Sequence, residues 1–210
     1  MSEPADGPRS VALVGPYTSG KTSLLESLLF VSGEVGRRGS VRDGNSVGDA
    51  SAEARARQSG VEVNTATFEY NGTKITVLDC PGSVEFAQET NNALMGADFA
   101  VVVCEPDIDR IWTMGRLFKF LDQNKIPHAV FANKIDESSI RVAQLIEALS
   151  NISETPLVPC QVAIRDGENV TGYVDLITGN AYDYSDNQAS EQLDGAPDSV
   201  SSRQEEARTQ

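Results

Sequence analysis

Apolar positions along the chain follow two spacings in turn. SVALVG, residues 10–15, is an apolar run with β-branched members. After PYTSGK comes TSLLESLLFVSG, in which Leu24, Leu25, Leu28 and Leu29 recur at helical spacing and Gly33 supplies a natural stop. That pattern predicts strand, loop, helix. ATFEY and TKITVLD flank Asn71-Gly72, the strongest short hairpin signal, so the strand ending at Asp79 is expected to pair antiparallel with the one before it. Downstream the spacing predicts a helix from about 84 to 95, a strand at DFAVVVCE, a helix from about 108 to 124, a strand at HAVFAN and a helix from about 138 to 150. Near-continuous Val, Ala and Phe in those two strands predicts burial on both faces, hence an α/β fold: a mainly parallel sheet with helices on each side. PLVPCQVAI, VTGYVDLI and AYDY predict a small β appendage.

Two stretches break this rhythm. Residues 34–60, EVGRRGSVRDGNSVGDASAEARARQSG, are too long and polar for an ordinary connection, which predicts a moving, functional segment; the alternative is a solvated insertion with a short helix at SAEARARQ. From about residue 184 the chain is polar, acidic and short of large apolar residues, which predicts a poorly packed tail. The expected organisation is a flexible amino terminus over 1–9, the α/β domain over 10–153, a small subdomain beginning over 154–183 and the acidic tail over 184–210.

Charge and cysteine usage narrow the function classes. A formal net charge of −14 argues against broad electrostatic binding to nucleic acid, which needs a clustered excess of Lys and Arg, so any RNA contact is expected to be local. No apolar run reaches the roughly 18 residues of a membrane span, and MSEPADGPRS lacks the features of a signal peptide, so a soluble cytoplasmic protein without a membrane partner is expected. Cys80, Cys104 and Cys160 are odd in number and lack zinc spacing, which predicts reduced, core-type thiols rather than a disulfide framework.

The chemistry concentrates in three motifs. Gly15-Pro16-Tyr17-Thr18-Ser19-Gly20-Lys21-Thr22 has the phosphate-loop spacing between a predicted strand and a predicted helix. Backbone N–H groups at the helix start would face the phosphates, Lys21 would add a point charge on the outer ones, and the Thr22 hydroxyl would ligate Mg2+. Asp79, at a strand end with Gly82 three residues on, could hold the same Mg2+ through water, while the Gly82 N–H could sense a γ-phosphate. Asn133-Lys134-Ile135-Asp136 ends another strand, and the Asp136 carboxylate could accept two hydrogen bonds from the N1–H and N2–H2 of guanine. Adenine has no such donor pair, so the three motifs together predict GTP and GDP as ligands.

GPYTSGKTSLLESLLFVSGEV, DGNSVGD, DCPGSVEF, ANKID and especially QVAIRDGENVTGYVDLITGNAYDY resemble the amino-terminal third of elongation factor G and its paralogues, from about residue 10 to 183. The resemblance implies a P-loop GTPase G domain, followed by the start of the inserted subdomain that distinguishes this factor. It also implies GTP-driven action on the ribosome, in translocation or recycling, with Lys21, Thr22, Asp79, Gly82, Asn133, Lys134 and Asp136 binding nucleotide and Mg2+. The sequence stops short of the family's fifth guanine-contacting Ser-Ala loop and of the G domain's closing strand and helix. The expectation is therefore a fragment or a truncated product.

Two further departures concern hydrolysis. The family's switch reads Arg-Gly-Ile-Thr-Ile where this chain has Ser59-Gly60-Val61-Glu62-Val63, so Glu62 stands in the place of a Mg2+-ligating threonine. The family's Asp-Thr-Pro-Gly-His appears as Asp79-Cys80-Pro81-Gly82-Ser83, so Ser83 replaces the histidine that helps place the attacking water. The single histidine, His128, begins the strand that ends at Asn133. It should lie roughly 16 Å from the site, at about 3.3 Å per residue, and is expected to be structural. These features predict a GTPase with slow turnover. The alternative is a regulatory paralogue that binds GTP without hydrolysing it; a small GTPase unrelated to translation is a third reading that DGENVTGYVDLITGNAYDY opposes.

Overall fold

The computed structural model describes residues 7, 9–41, 43–47, 62–138, 140–167, 169–184 and 191–193. Their contacts define two compact units, residues 1–105 with 113–133 and residues 106–112 with 134–210. This division cuts the expected 10–153 domain between Asn133 and Lys134.

The first unit is built on a five-stranded sheet of β1 (Arg9–Val14), β2 (Asn64–Tyr70), β3 (Thr73–Asp79), β4 (Phe99–Cys104) and β5 (His128–Ala132), in the order β2-β3-β1-β4-β5. β2 and β3 are antiparallel; β3, β1, β4 and β5 are parallel. The Asn71-Gly72 signal is realised as a two-residue hairpin loop with both φ values positive, 49° and 75°, which matches the twist of the strands it joins. β1 sits centrally, with Ala12, Leu13 and Val14 almost wholly buried. Leu13 packs with Phe68 and Val77 from the neighbouring strands and with Leu25 and Leu29 of α1 (Lys21–Val31), so the helical spacing read from the leucines is the face that meets the sheet. Each such side chain contributes about 1.5–3 kcal/mol by leaving water.

Helix boundaries depart from the expectation where local chemistry intervenes. Residues Val84–Phe86 form a 3-10 turn, with Phe86 N–H bonded to Ser83 O, before α2 (Ala87–Met95) begins. The helix expected over 108–124 is two, α3 (Ile108–Thr113) and α4 (Gly115–Gln123). They part at Met114, whose ψ of −1° flattens the turn just before Gly115, the weakest helix former in the stretch. α4 buries Phe118 and Leu121.

β4 is covered as the apolar run implies, whereas β5 alternates and leaves Phe131 41% exposed. The two-sided burial expected of β5 is therefore not observed. It forms the edge of this sheet, so its apolar run has fewer neighbours to cover it.

In the second unit the helix expected from 138 begins later, as α5 (Val142–Ser150). Ser138 is in extended conformation, and its Oγ donates to Pro106 O at 2.9 Å. Gln144 Oε1 instead accepts the Arg141 N–H at 3.0 Å at the true helix start.

The β appendage is an antiparallel sheet in the order β6 (Gln161–Asp166), β7 (Asn169–Asp175), β8 (Ala181–Asp183), β9 (Glu191–Leu193). Its core is Val162, Ile164, Val174 and Ala181, with Leu176 and Leu193 against it. β9 falls within the tail read as poorly packed. The rest of that tail beyond 184, and most of the segment read as moving (42 and 48–61, with the SAEARARQ helix), lie outside the described residues. Among the described residues no helix is long and apolar enough to cross a membrane.

Candidate nucleotide-binding site

Strands β1, β3 and β5 all deliver their carboxyl ends to the same edge of the first sheet, where α/β proteins bind ligands. The loop after β1 leaves through Gly15 at φ 138°, passes Thr18 at φ 63° and enters α1 through Gly20 at φ 96°. A β-branched residue at positive φ is strained, and such strain collects at ligand-gripping loops. Lys21 folds back over the loop, donating its Nζ to Gly15 O at 3.0 Å and Pro16 O at 2.9 Å. Its side chain is almost fully buried.

Ser19 Oγ is likewise buried and takes no hydrogen-bond partner among the described residues. An orphaned hydroxyl in a loop of backbone donors fits an incoming anion's oxygen, because leaving it unsatisfied is otherwise costly.

Asp79, the last residue of β3, is buried and its Oδ2 accepts from Thr22 Oγ1 at 2.7 Å. This brings the first two motifs together: the hydroxyl read as a Mg2+ ligand and the carboxylate read as its water-bridged partner touch directly. Among the described residues no cluster of three His, Cys, Asp or Glu could hold a metal. One hydroxyl beside one carboxylate, with phosphate oxygens to complete the shell, is the donor chemistry of Mg2+ rather than of a site closed by protein ligands.

Past Asp79 the chain runs through Pro81-Gly82 to a bend at Ser83. A Cβ at Gly82 would stand 2.6 Å from Lys21 Nζ, 2.7 Å from Tyr17 N and 2.8 Å from Pro16 C, so only glycine lets this backbone lie against the phosphate loop. Ser83 follows, half-buried, and its carbonyl caps the 3-10 turn. Glu62 is exposed, two residues before β2.

Asn133 completes the cradle within the first unit. Its backbone N–H bonds Cys104 O at 2.7 Å, and its Nδ2 donates to Ser19 O at 2.8 Å, so the third motif buttresses the first. Lys134 and Asp136 belong to the second unit. Lys134 takes φ 56° and leads into a 3-10 turn, Ile135–Glu137, on which Asp136 is exposed.

His128 lies at the opposite, amino end of β5, with Nδ1 2.9 Å from Ile126 O and its ring edge-on to Phe118 at 5.7 Å. Cys80, adjacent to Asp79, has its thiol pushed up to about 12, chiefly by burial and then by the Asp79 charge, with Lys21 opposing. That thiol is inert as a nucleophile.

Reading by motif missed Glu26. It is 1% exposed on α1, one turn after Thr22. Its Oε2 accepts the Gly39 N–H at 2.8 Å and its Oε1 accepts the Val47 N–H, which pins both ends of the loop that leads into residues 48–61. Ser40 N–H to Asn45 Oδ1, 2.7 Å, closes the loop on itself. The signal was a lone carboxylate amid the leucines of LLESLL, a position where charge needs a partner.

The sequence profile of the Elongation factor Tu GTP binding domain matches residues 7–197. An Elongation factor G-like protein of Synechocystis sp. is 54% identical over 176 residues, which are 84% of this chain and 26% of that protein. A mitochondrial Ribosome-releasing factor 2 of Danio rerio is 29% identical over 170 residues, 81% of this chain and 22% of that protein. A crystal structure of a Thermus thermophilus protein is similar with a TM-score of 0.85 at 28% identity, over 97% of this chain and 30% of that one. The chain spans about a quarter of the length of these relatives. With the phosphate loop, the Asp79 turn and Asn133 gathered at one sheet edge, and with the profile running through both units, the chain belongs to the Elongation factor Tu GTP binding domain family.

Proposed function

We propose that the chain is the GTP-binding part of a cytoplasmic translational GTPase resembling elongation factor G, which works on the ribosome in translocation or recycling. The observation that carries this reading is the direct Thr22–Asp79 contact beside a phosphate loop over which Lys21 folds. Gly15 to Thr22 would cradle the phosphates, and Thr22 with Asp79 through water would hold Mg2+. Asn133, Lys134 and Asp136 would read guanine. When bound, Mg2+ would neutralise charge on the outer phosphates. Glu62 is a further candidate toward the ion, in the position of the family's threonine.

Lys21 and the Gly82 N–H would stabilise the charge that develops on the transferred group, which is most of what phosphoryl transfer asks of a protein. Positioning the attacking water is the remaining task. Ser83 is too short to do what the family's histidine does, so turnover is slow. The family names of the relatives support a ribosomal setting.

A second reading, a regulatory paralogue that binds GTP without hydrolysing it, is favoured by Ser83 and Glu62 together. Both readings require guanine selectivity. Calorimetry should show GDP and GTP binding with ATP excluded, and Asp136→Asn should shift preference toward xanthine nucleotides, whose 2-oxo group accepts where guanine donates. Equal affinity for GTP and ATP refutes the guanine assignment. Ribosome-stimulated single-turnover hydrolysis by the full-length factor separates the two readings. Slow wild-type turnover that Ser83→His accelerates, with GDP affinity unchanged, supports the first; no turnover supports the second. Wild-type turnover as fast as that of a histidine-bearing elongation factor G means that the side chain at 83 does not limit the rate.

A further inference from the structure

The turn that carries Asp136 has little structure of its own. It is three residues of 3-10 helix, Ile135–Glu137, entered through Lys134 in the left-handed region and left through Ser138 in extended conformation. A side chain on so short a turn is held in place only if something fixes the backbone on both sides of it.

Arg165 supplies that. Its Nη2 donates to Ile135 O at 2.6 Å and to Ser138 O at 3.2 Å, so a single guanidinium nitrogen bridges the carbonyls that flank Asp136 in sequence. Ser138 is tied down further, its Oγ donating to Pro106 O at 2.9 Å and accepting the Ile140 N–H at 3.2 Å. Hydrogen bonds from a charged, planar donor are stronger and more directional than neutral ones.

Arg165 stands where β6 and β7 fall out of step. Ile164 pairs with Gly172 but Arg165 pairs with Val170, so Thr171 is an extra residue on β7 and the sheet bulges at this point. Bulges bend a strand and re-aim its side chains. The bulge is locked from the far side: a Cβ on Gly172 would collide with Tyr182 O of β8, so glycine alone permits the close pairing there.

We propose that Arg165 is a positioning residue for base selectivity. From the bulge of the second sheet it holds the Asp136 turn in the form that accepts the two guanine donors, and it acts through Asp136 without touching the base. This rests on the reading of Asp136 given above. It makes guanine affinity depend on the integrity of the β6–β7 pairing, a coupling that the phosphate loop does not share.

The test is calorimetric titration of wild type, Arg165→Ala and Arg165→Gln with GDP, IDP, ADP and inorganic pyrophosphate. IDP lacks the 2-amino group, so the GDP-to-IDP affinity ratio reports one of the two bonds to Asp136. Pyrophosphate has no base and reports the phosphate loop alone. Arg165→Ala is expected to weaken GDP by about tenfold or more, the scale of losing bonds to a charged donor. It should also move the GDP-to-IDP ratio toward one and leave pyrophosphate binding as in wild type. Arg165→Gln keeps a neutral donor and should fall between the two, and it carries the same comparison if alanine unfolds the sheet. Wild type that prefers GDP to ADP, with unchanged GDP affinity and GDP-to-IDP ratio in the variants, overturns the role of Arg165 while the guanine reading stands. Equal loss of GDP and pyrophosphate overturns it in favour of general destabilisation. Equal binding of GDP and ADP by wild type overturns the guanine reading and the role of Arg165 with it.

Discussion

Replacing Glu26 by glutamine isolates the contact between one buried carboxylate and two partly buried backbone N–H groups. The carboxylate accepts two backbone N–H groups, from Gly39 and Val47, on its two oxygens. Glutamine has the same shape but only one acceptor oxygen, so one of the two N–H groups must face an amide NH2. Leaving a buried donor unsatisfied costs about 1–3 kcal/mol, which corresponds to roughly a 5- to 150-fold loss of protection for an amide whose exchange requires this loop to open. The gain from no longer burying a charge offsets part of this, which places the expected loss toward the lower end. The assay is native-state hydrogen exchange followed residue by residue. Protection should fall at Gly39 or Val47 and at Ser40, whose N–H bonds Asn45 within the same loop. Amides in β1 and β3 should be unaffected. Gly39→Ala attacks the same contact from the other side, since a Cβ there would stand 2.7 Å from Glu26 Oε2 and from Asn45 O. Its effect should not add to that of the glutamine. If Gly39, Ser40 and Val47 keep wild-type protection in Glu26→Gln, the carboxylate does not anchor the loop.

Thiol labelling of the native protein should modify Cys160 quickly and spare Cys80 and Cys104, which are buried with thiols pushed up to about 12; comparable labelling of all three refutes the burial assigned here. Asp98 should titrate below the ordinary carboxylate value of 3.8 by NMR, because its Oδ2 accepts from Ser10 N at 2.7 Å and Ser10 Oγ at 3.0 Å. A lowered folded-state pKa means the contact stabilises the protein above the unfolded carboxylate range and fades as pH falls through the lowered value. A titration at or above 3.8, or one unmoved by Ser10→Ala, contradicts this.

The succession of strands and helices along the first unit was legible because most strands there are short apolar runs between strong punctuation. Asn71-Gly72 fixed the hairpin, and Gly33 stands at φ 84° just past the end of α1, where the leucine spacing stops. Helix starts were less legible. The helix expected from about 138 starts only at Val142, since Ser138 is extended and its hydroxyl bonds Pro106 O, a partner 32 residues away in sequence. The break at Met114 had a local sign in Gly115, but an uninterrupted apolar spacing around it outweighs a single glycine in any reading by period. Glu26 and Arg165 went unseen for a related reason. Both act on backbone groups, and a backbone N–H or carbonyl carries no signature in the sequence of the segment that supplies it.

Those same backbone contacts bear on how binding and hydrolysis can separate. Gly82 lies against the phosphate loop through main-chain atoms of Pro16 and Tyr17 and the end of Lys21, and Ser83 serves the fold through its carbonyl, which caps the following 3-10 turn. Neither role uses the side chain at position 83. The cradle formed by Lys21, Thr22, Asp79 and Asn133 is likewise closed by bonds in which Ser83 and Glu62 take no part. A change of side chain at 83 or 62 therefore leaves the binding geometry standing and alters only what would face the outermost phosphate. Under the proposed function, turnover is therefore expected to respond to Ser83→His while nucleotide affinity does not. A Ser83 variant that loses affinity as steeply as an Asp79 variant would mean that the turn after β3 is held by its side chains rather than by its backbone.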